Sequence, residues 1–346
     1  MSVTYLIGNG FDISVGLNTR YSDFYNYIFN KYENNKNYIL NDIENYMKKD
    51  SDLWSNLELG LGNYTEHIGN DKEQLEKFFE DKFDIDSKLM EYLRIEQERI
   101  DWKQENTIQE VRDNFSKYVY QFYKLFKPAE MDEILKIVNN SNSLYRIISF
   151  NYTNVIKNCI DLLPTNIELL YLHGSLEKGN AILGVNDSEQ IDNEFFKNSE
   201  EMLISMNKLE INNDIGEYTI VKARNILMNS DIMCIYGMSI GDTDKFWWQE
   251  IINNLIDGSI KMVIIFHYDP NLNINNRVKH LRAKNNIKDQ LLRYYSGDTE
   301  LDKELVVQLK SKIKVLCNSD MFRMNFIFKD SDEFEKLIKE RELLLQ

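Results

Sequence analysis

Five clusters of small and polar residues each follow a short apolar run, and they hold the side chains best suited to chemistry. Gly8-Asn9-Gly10-Phe11-Asp12 follows Val3–Ile7, and Asn151-Tyr152-Thr153 follows Tyr145–Phe150. His173-Gly174-Ser175 follows Ile167–Leu172, and Gly237-Met238-Ser239-Ile240-Gly241-Asp242 follows Asp231–Tyr236. His267-Tyr268-Asp269 follows Ile260–Phe266. Glycine after a strand lets the backbone approach a pyrophosphate, and a helix start beyond it favours the anion. Gly8, Asn9, Gly10, Phe11 and Asp12 therefore form a candidate phosphate loop, which Gly16 and Thr19 extend over the ligand; a plain tight turn is the simpler alternative. Ile13 stands where the dehydrogenase fingerprint needs its third glycine, which argues against hydride transfer. His173 titrates near neutral pH and can serve as a general base, or it can bond a loop carbonyl. The Asn151 amide can hold a water or a ribose hydroxyl, and it can also cap the helix that follows. Gly237 and Ser239 offer further ligand contacts, and Asp244 either caps a helix or faces the same pocket.

No metal chemistry is expected. The 4 histidines are scattered without HxH or HExxH spacing, and the 3 cysteines make no paired motif, which excludes both a zinc ribbon and a disulfide framework. His67 and His280 lie in helical or solvated stretches, while His267 is ambiguous. Arg277–Arg293 carries Arg277, Lys279, Arg282, Lys284, Lys288 and Arg293, most simply a solvated helix face.

The elements that must position these groups read as a parallel sheet. Most of the apolar runs are continuous rather than alternating, as in strands covered on both faces, and Phe322–Phe328 makes a sixth run. Helical patterns such as Thr243–Ile256 and Tyr218–Met228 sit between them, giving a doubly wound α/β domain. Ligands bind outside the carboxyl ends of such strands, so all five tips are expected to converge on one pocket. Tyr21–Asn142 breaks the rhythm with a helical insertion of roughly 120 residues, in which Val111, Phe115, Tyr118, Val119, Phe122 and Phe126 mark one face. Asp71–Glu105 reads as solvated helices. The expected organisation is residues 1–20 plus 143–346 as the α/β domain and 21–142 as the insertion. A smaller insertion over Ser188–Glu217 and a closing helix around Phe334, Leu337 and Ile338 complete it.

At 346 residues the chain has room for two folding units, and 43% hydrophobic with 28% charged residues is an ordinary globular composition. A net charge of -15 argues against gripping nucleic acid over a broad surface. There is no apolar window long enough for a membrane span and no signal-peptide pattern, so the expected location is the cytoplasm.

At these residues the chain resembles the AbiH family of bacterial abortive-infection proteins. The resemblance rests on Ile7-Gly8-Asn9-Gly10-Phe11-Asp12 with Gly16-Leu17, Tyr21 and Asp23-Phe24, and on Trp54 with Glu58. It continues through Ser149-Phe150-Asn151-Tyr152-Thr153, Leu172-His173-Gly174 and Gly237-Met238-Ser239-Ile240-Gly241-Asp242-Thr243-Asp244. Met238 departs from the pattern, since many relatives carry histidine there. More distantly, the same motifs are similar to the Sir2-like, Rossmann-type NAD-binding fold, with Asn151 and His173-Gly174 falling on its catalytic asparagine and His-Gly. That resemblance implies an anti-phage NAD+ glycohydrolase releasing nicotinamide and ADP-ribose. In it Asn151 and His173 are catalytic, and Gly8, Asn9, Gly10, Phe11, Asp12, Gly16, Thr19, Gly237, Ser239 and Asp244 bind NAD+, which is the substrate. The site offers no obvious carboxylate pair, so the cationic leaving group is expected to carry much of the reaction. The alternatives are a non-catalytic NAD or ADP-ribose sensor and, with less support, a nucleic-acid-acting effector. Expected partners are a phage-derived trigger or partner protein and a second copy of the chain.

Overall fold

The computed structural model describes residues 1–32, 37–48, 56–138, 143–164, 167–214, 218–272, 276–297 and 302–330. Trp54 and the stretch holding Phe334, Leu337 and Ile338 lie outside the described residues.

Six strands form one sheet: β1 (Ser2–Ile7), β2 (Leu144–Ser149), β3 (Glu168–Tyr171), β4 (Ile232–Tyr236), β5 (Met262–His267) and β6 (Ile313–Cys317). Their order is β3-β2-β1-β4-β5-β6, and every pairing is parallel. This is the doubly wound Rossmann-type order, and the direction of winding reverses between β1 and β4. Every residue of β1 is buried. Because side chains alternate along a strand, Tyr5 and Ile7 enter one core while Leu6 enters the core on the other face.

The layer against Tyr5 and Ile7 is built from Val111, Phe115, Val119, Phe122 and Ile134, together with Ile156 of the Val155–Asp161 helix. The Tyr5 hydroxyl ties β1 to this layer by donating to the Val119 carbonyl at 2.8 Å. On the opposite face the helices Thr219–Met228, Lys245–Asp257, Arg277–Leu292 and Lys303–Lys312 contribute Leu227, Trp248, Leu291 and Leu309. A third core joins the helices Tyr21–Lys31, Tyr38–Met47, Leu57–Tyr64 and Lys72–Glu98 to Leu183, Val185, Phe196, Met202 and Met206. The two stretches that interrupt the β–α rhythm thus share one hydrophobic interior. The residues from Ile100 to Val138 instead cover the sheet.

The Lys72–Glu98 helix shows how the sequence encodes that interior. Asp71 caps it by accepting from the Glu73 N–H, and Leu75, Phe78, Ile85, Leu89 and Leu93 recur at helical spacing and are buried. Most of its charges occupy the remaining faces, although Asp81, Lys82 and Glu96 are buried, so it is amphipathic rather than solvated all round.

One expected strand is not a strand. Phe322 lies in a turn with φ of +53°, and Phe322, Met324 and Phe326 are buried in alternation with exposed neighbours. The backbone of residues 322–328 makes an isolated antiparallel bridge between Ile100 and Phe328, flanked by the Asp101 N–H to Ile327 carbonyl bond, and the Ile327 N–H donates to Thr107 Oγ1. The alternation arises because Phe322 packs its ring over Tyr5, Phe11 and Phe115 while Phe326 packs against Trp102. The sixth strand is instead Ile313–Cys317, at the edge beside β5, which continues directly from the Lys303–Lys312 helix with no glycine or proline between them.

Candidate functional site

A cavity of about 210 Å³ opens at the carboxyl ends of β1, β2, β3 and β4. Gly8 and Asn9 line it after β1, Asn151 after β2, His173 just beyond β3, and Gly237 and Ser239 after β4. Asp12, Thr19 and Asp244 complete the wall expected from the sequence. The opposite wall comes from the third core and brings Tyr21, Asn56, Glu58, Leu89, Leu93 and Lys208. Four of the five expected tips therefore meet. The fifth, at His267, is tied elsewhere, its carbonyl accepting from the Asn318 N–H at 2.8 Å.

Gly10, Phe11 and Gly16 lie outside the lining. A Cβ on Gly10 would fall 2.4 Å from the Gly237 Cα, so this glycine is required for the β1 and β4 loops to touch. Gly237 itself has φ of +66°, a left-handed conformation that glycine adopts without strain. Three of the loop's N–H groups are engaged within the protein: Gly8 donates to the Tyr236 carbonyl at 3.0 Å, Gly10 to the Gly237 carbonyl at 2.8 Å and Phe11 to the Gly8 carbonyl at 3.0 Å. These donors do not form an open phosphate cradle. Phe11 is fully buried against Phe115 and Phe322. Gly16 has φ of +97° and abuts the Phe328 ring. Asn9 and Thr19 satisfy each other, with Asn9 Nδ2 donating to the Thr19 carbonyl at 2.7 Å and Thr19 Oγ1 donating to Asn9 Oδ1.

Asn151, His173 and one oxygen of Asp12 are not satisfied. Asn151 is 5% exposed and His173 is 6% exposed, yet neither amide atom of the first nor either ring nitrogen of the second has a hydrogen-bond partner. Asp12 is 1% exposed; its Oδ2 accepts from the Thr153 hydroxyl at 2.7 Å, while Oδ1 has none. Each such group costs about 1–3 kcal/mol when left dry, so their convergence on one cavity marks a place where a ligand or water completes them.

Burial also sets their charge. It pushes the Asp12 carboxyl up to about 7, against the Thr153 hydroxyl and the nearby Asn151 amide, which lies close without a well-formed hydrogen bond. Asp244 rises to about 6 through burial, moderated by Lys208, raised further by Glu58 and moderated by the Asn186 amide. Burial, reinforced by the Lys208 charge, holds His173 well below the ordinary histidine range, so the imidazole is neutral. Lys208 pairs with Glu58 at 2.8 Å, both buried. Glu58 Oε1 also accepts from the Tyr152 hydroxyl at 3.3 Å.

Asp12, Glu58 and Asp244 all line the cavity. They are spread around the wall, and among the described residues no group of three or more His, Cys, Asp or Glu is placed to hold a metal ion. Lys208 carries no signal in the sequence. It opens the Lys208–Asp214 helix amid ordinary polar residues, and only the packing of the second stretch against the first brings it to Glu58.

The motifs that build this wall fall within residues 4–266, which match the family model described as Bacteriophage abortive infection AbiH. The chain belongs to the AbiH family. It therefore has a role in abortive infection, the defence of a bacterial population against bacteriophage. No curated protein matches the chain. Among the described residues of this AbiH chain, no helix is long and apolar enough to cross a membrane.

Proposed function

We propose that this AbiH chain is an NAD+ glycohydrolase, cleaving NAD+ to nicotinamide and ADP-ribose so that an infected cell loses its NAD+ pool. The observation that carries this reading is the pair of buried, unpartnered side chains, Asn151 and His173, at adjacent strand tips of a Rossmann-type sheet. In the reaction the bond between the ribose C1′ and the nicotinamide nitrogen breaks, and its electron pair neutralises the ring. The oxygen of a water bonds to C1′. One water proton passes to a base, and the transition state is oxocarbenium-like, as in glycoside cleavage. Asn151 has donors and an acceptor free to position the ribose and the water. His173, neutral by burial, takes the proton, a role typically worth ~10²–10⁴ in rate. The carboxylates of Asp12, Glu58 and Asp244 place negative charge around the developing ribosyl cation.

The test is nicotinamide release from NAD+ by the full chain, before and after phage infection, for wild type, His173→Ala and Asn151→Ala. Release that falls at least ~100-fold in either variant is expected. Unchanged release in both would defeat the mechanism, and tight NAD+ binding without release would favour a sensor.

A further inference from the structure

We propose that the cavity recognises its ligand as a cationic nucleoside: the charged ring and its ribose enter among the carboxylates, and the phosphates stay outside. This rests on the glycohydrolase reading and specifies which half of the dinucleotide the protein holds.

Size gives the first argument. About 210 Å³ is small beside the ~300–1,000 Å³ of ordinary ligand clefts, which suits one nucleoside better than two. Charge gives the second. Among the described residues the lining holds Asp12, Glu58 and Asp244 against one cation, Lys208, and that ammonium is already paired with Glu58 at 2.8 Å. Asp12 and Asp244 remain to face whatever enters, and their ionised forms attract a cation and repel a phosphate. The third argument comes from the glycine loop. The N–H groups of Gly8, Gly10 and Phe11 bond within the protein, so these three donors are not offered to a pyrophosphate. Asn151 and His173, each more than nine-tenths buried and unpartnered, supply neutral donors and acceptors for ribose hydroxyls and water.

The chemistry agrees with this selection. In nicotinamide riboside the same C1′–N bond breaks, the ring nitrogen receives the electron pair, and water supplies hydroxyl to C1′ and a proton to the base. The products are nicotinamide, ribose and a proton, and the phosphates take no part. A neutral dihydronicotinamide ring of nearly the same shape has no charge for Asp12 and Asp244 to meet.

The experiment is calorimetry with the full chain, titrated with nicotinamide riboside, dihydronicotinamide riboside, ADP-ribose and NAD+, alongside nicotinamide release from the two oxidised compounds. The oxidised riboside is expected to bind within ~10-fold of NAD+ and at least ~30-fold tighter than its reduced form. Asp12→Asn is expected to narrow the oxidised-to-reduced gap by at least ~5-fold. If that variant does not fold, the wild-type comparison decides alone. Equal binding of the two ribosides would overturn the proposal, as would NAD+ binding more than ~10-fold tighter than the riboside with ADP-ribose competing for the same site. Turnover of NAD+ with the riboside ignored overturns this inference and leaves the glycohydrolase reading standing, whereas silence toward every compound overturns both.

Discussion

Asp12 joins the sequence, the fold and the chemistry in a single carboxyl group. Its position after the glycine loop marked it as a ligand contact, but its burial and its Thr153 partner depend on β2 lying beside β1. A carboxyl raised from 3.8 to about 7 holds a proton in the folded state that the unfolded chain releases near 4. Its contribution to stability is thus full below about 4 and is lost as the pH rises through the folded value. A cationic ligand reverses the preference, because it binds the ionised form. NAD+ affinity is therefore expected to climb between pH 6 and pH 8 and to change little above, measured by calorimetry at constant ionic strength. Thr153 and Asn151 bear directly on this carboxyl, and Cys159 and Tyr171 lie close enough to feel it. Asp244, Glu58, Lys208 and His173 share the cavity. Asp12→Asn is expected to flatten both the affinity profile and the fall in thermal stability between pH 4 and pH 7. A profile unchanged in that variant would assign the titration to Asp244.

At the scale of elements, the Glu58–Lys208 pair fastens the Leu57–Tyr64 helix to the Lys208–Asp214 helix, from stretches far apart in the chain. Removing one partner of a buried pair strands the other charge. Lys208→Met is expected to destabilise by about 3–5 kcal/mol, and the double variant with Glu58→Gln to regain most of it. Urea unfolding of the two variants checks this; equal losses would show that the pair is not coupled. The elements were legible where a local pattern reports burial directly. Continuous apolar runs found β1 to β5, and the amphipathic face from Val111 to Phe126 found the helical layer over Tyr5. The pattern misled at Phe322–Phe328, where alternation reflects rings packed on a helix rather than pairing in a sheet. At Ile313–Cys317 a half-exposed edge strand follows a helix without a break, which leaves no boundary to read. In the site, residues fixed by the sheet's order were readable, because polar groups at parallel strand tips must share one edge. Lys208 was not, since its place depends on how one helical stretch docks on another.

On the scale of the molecule, the cavity lies between two bodies with separate interiors. The sheet supplies Asn151 and His173, and the helical core supplies Glu58 and Lys208. The first strand sits at the centre, with β4 as one of its two neighbours. During synthesis, β1 leaves the ribosome long before residues 232–236 exist to flank it, and Lys208, Ser239 and Asp244 also arrive late. A chain ending at residue 230 is expected to show no nicotinamide release and no NAD+ binding; activity in such a fragment would place the reaction elsewhere. On the proposed reading, a translation product that stops before β4 is inactive, because the order of the strands leaves the central strand without one of its neighbours until residues 232–236 have been made.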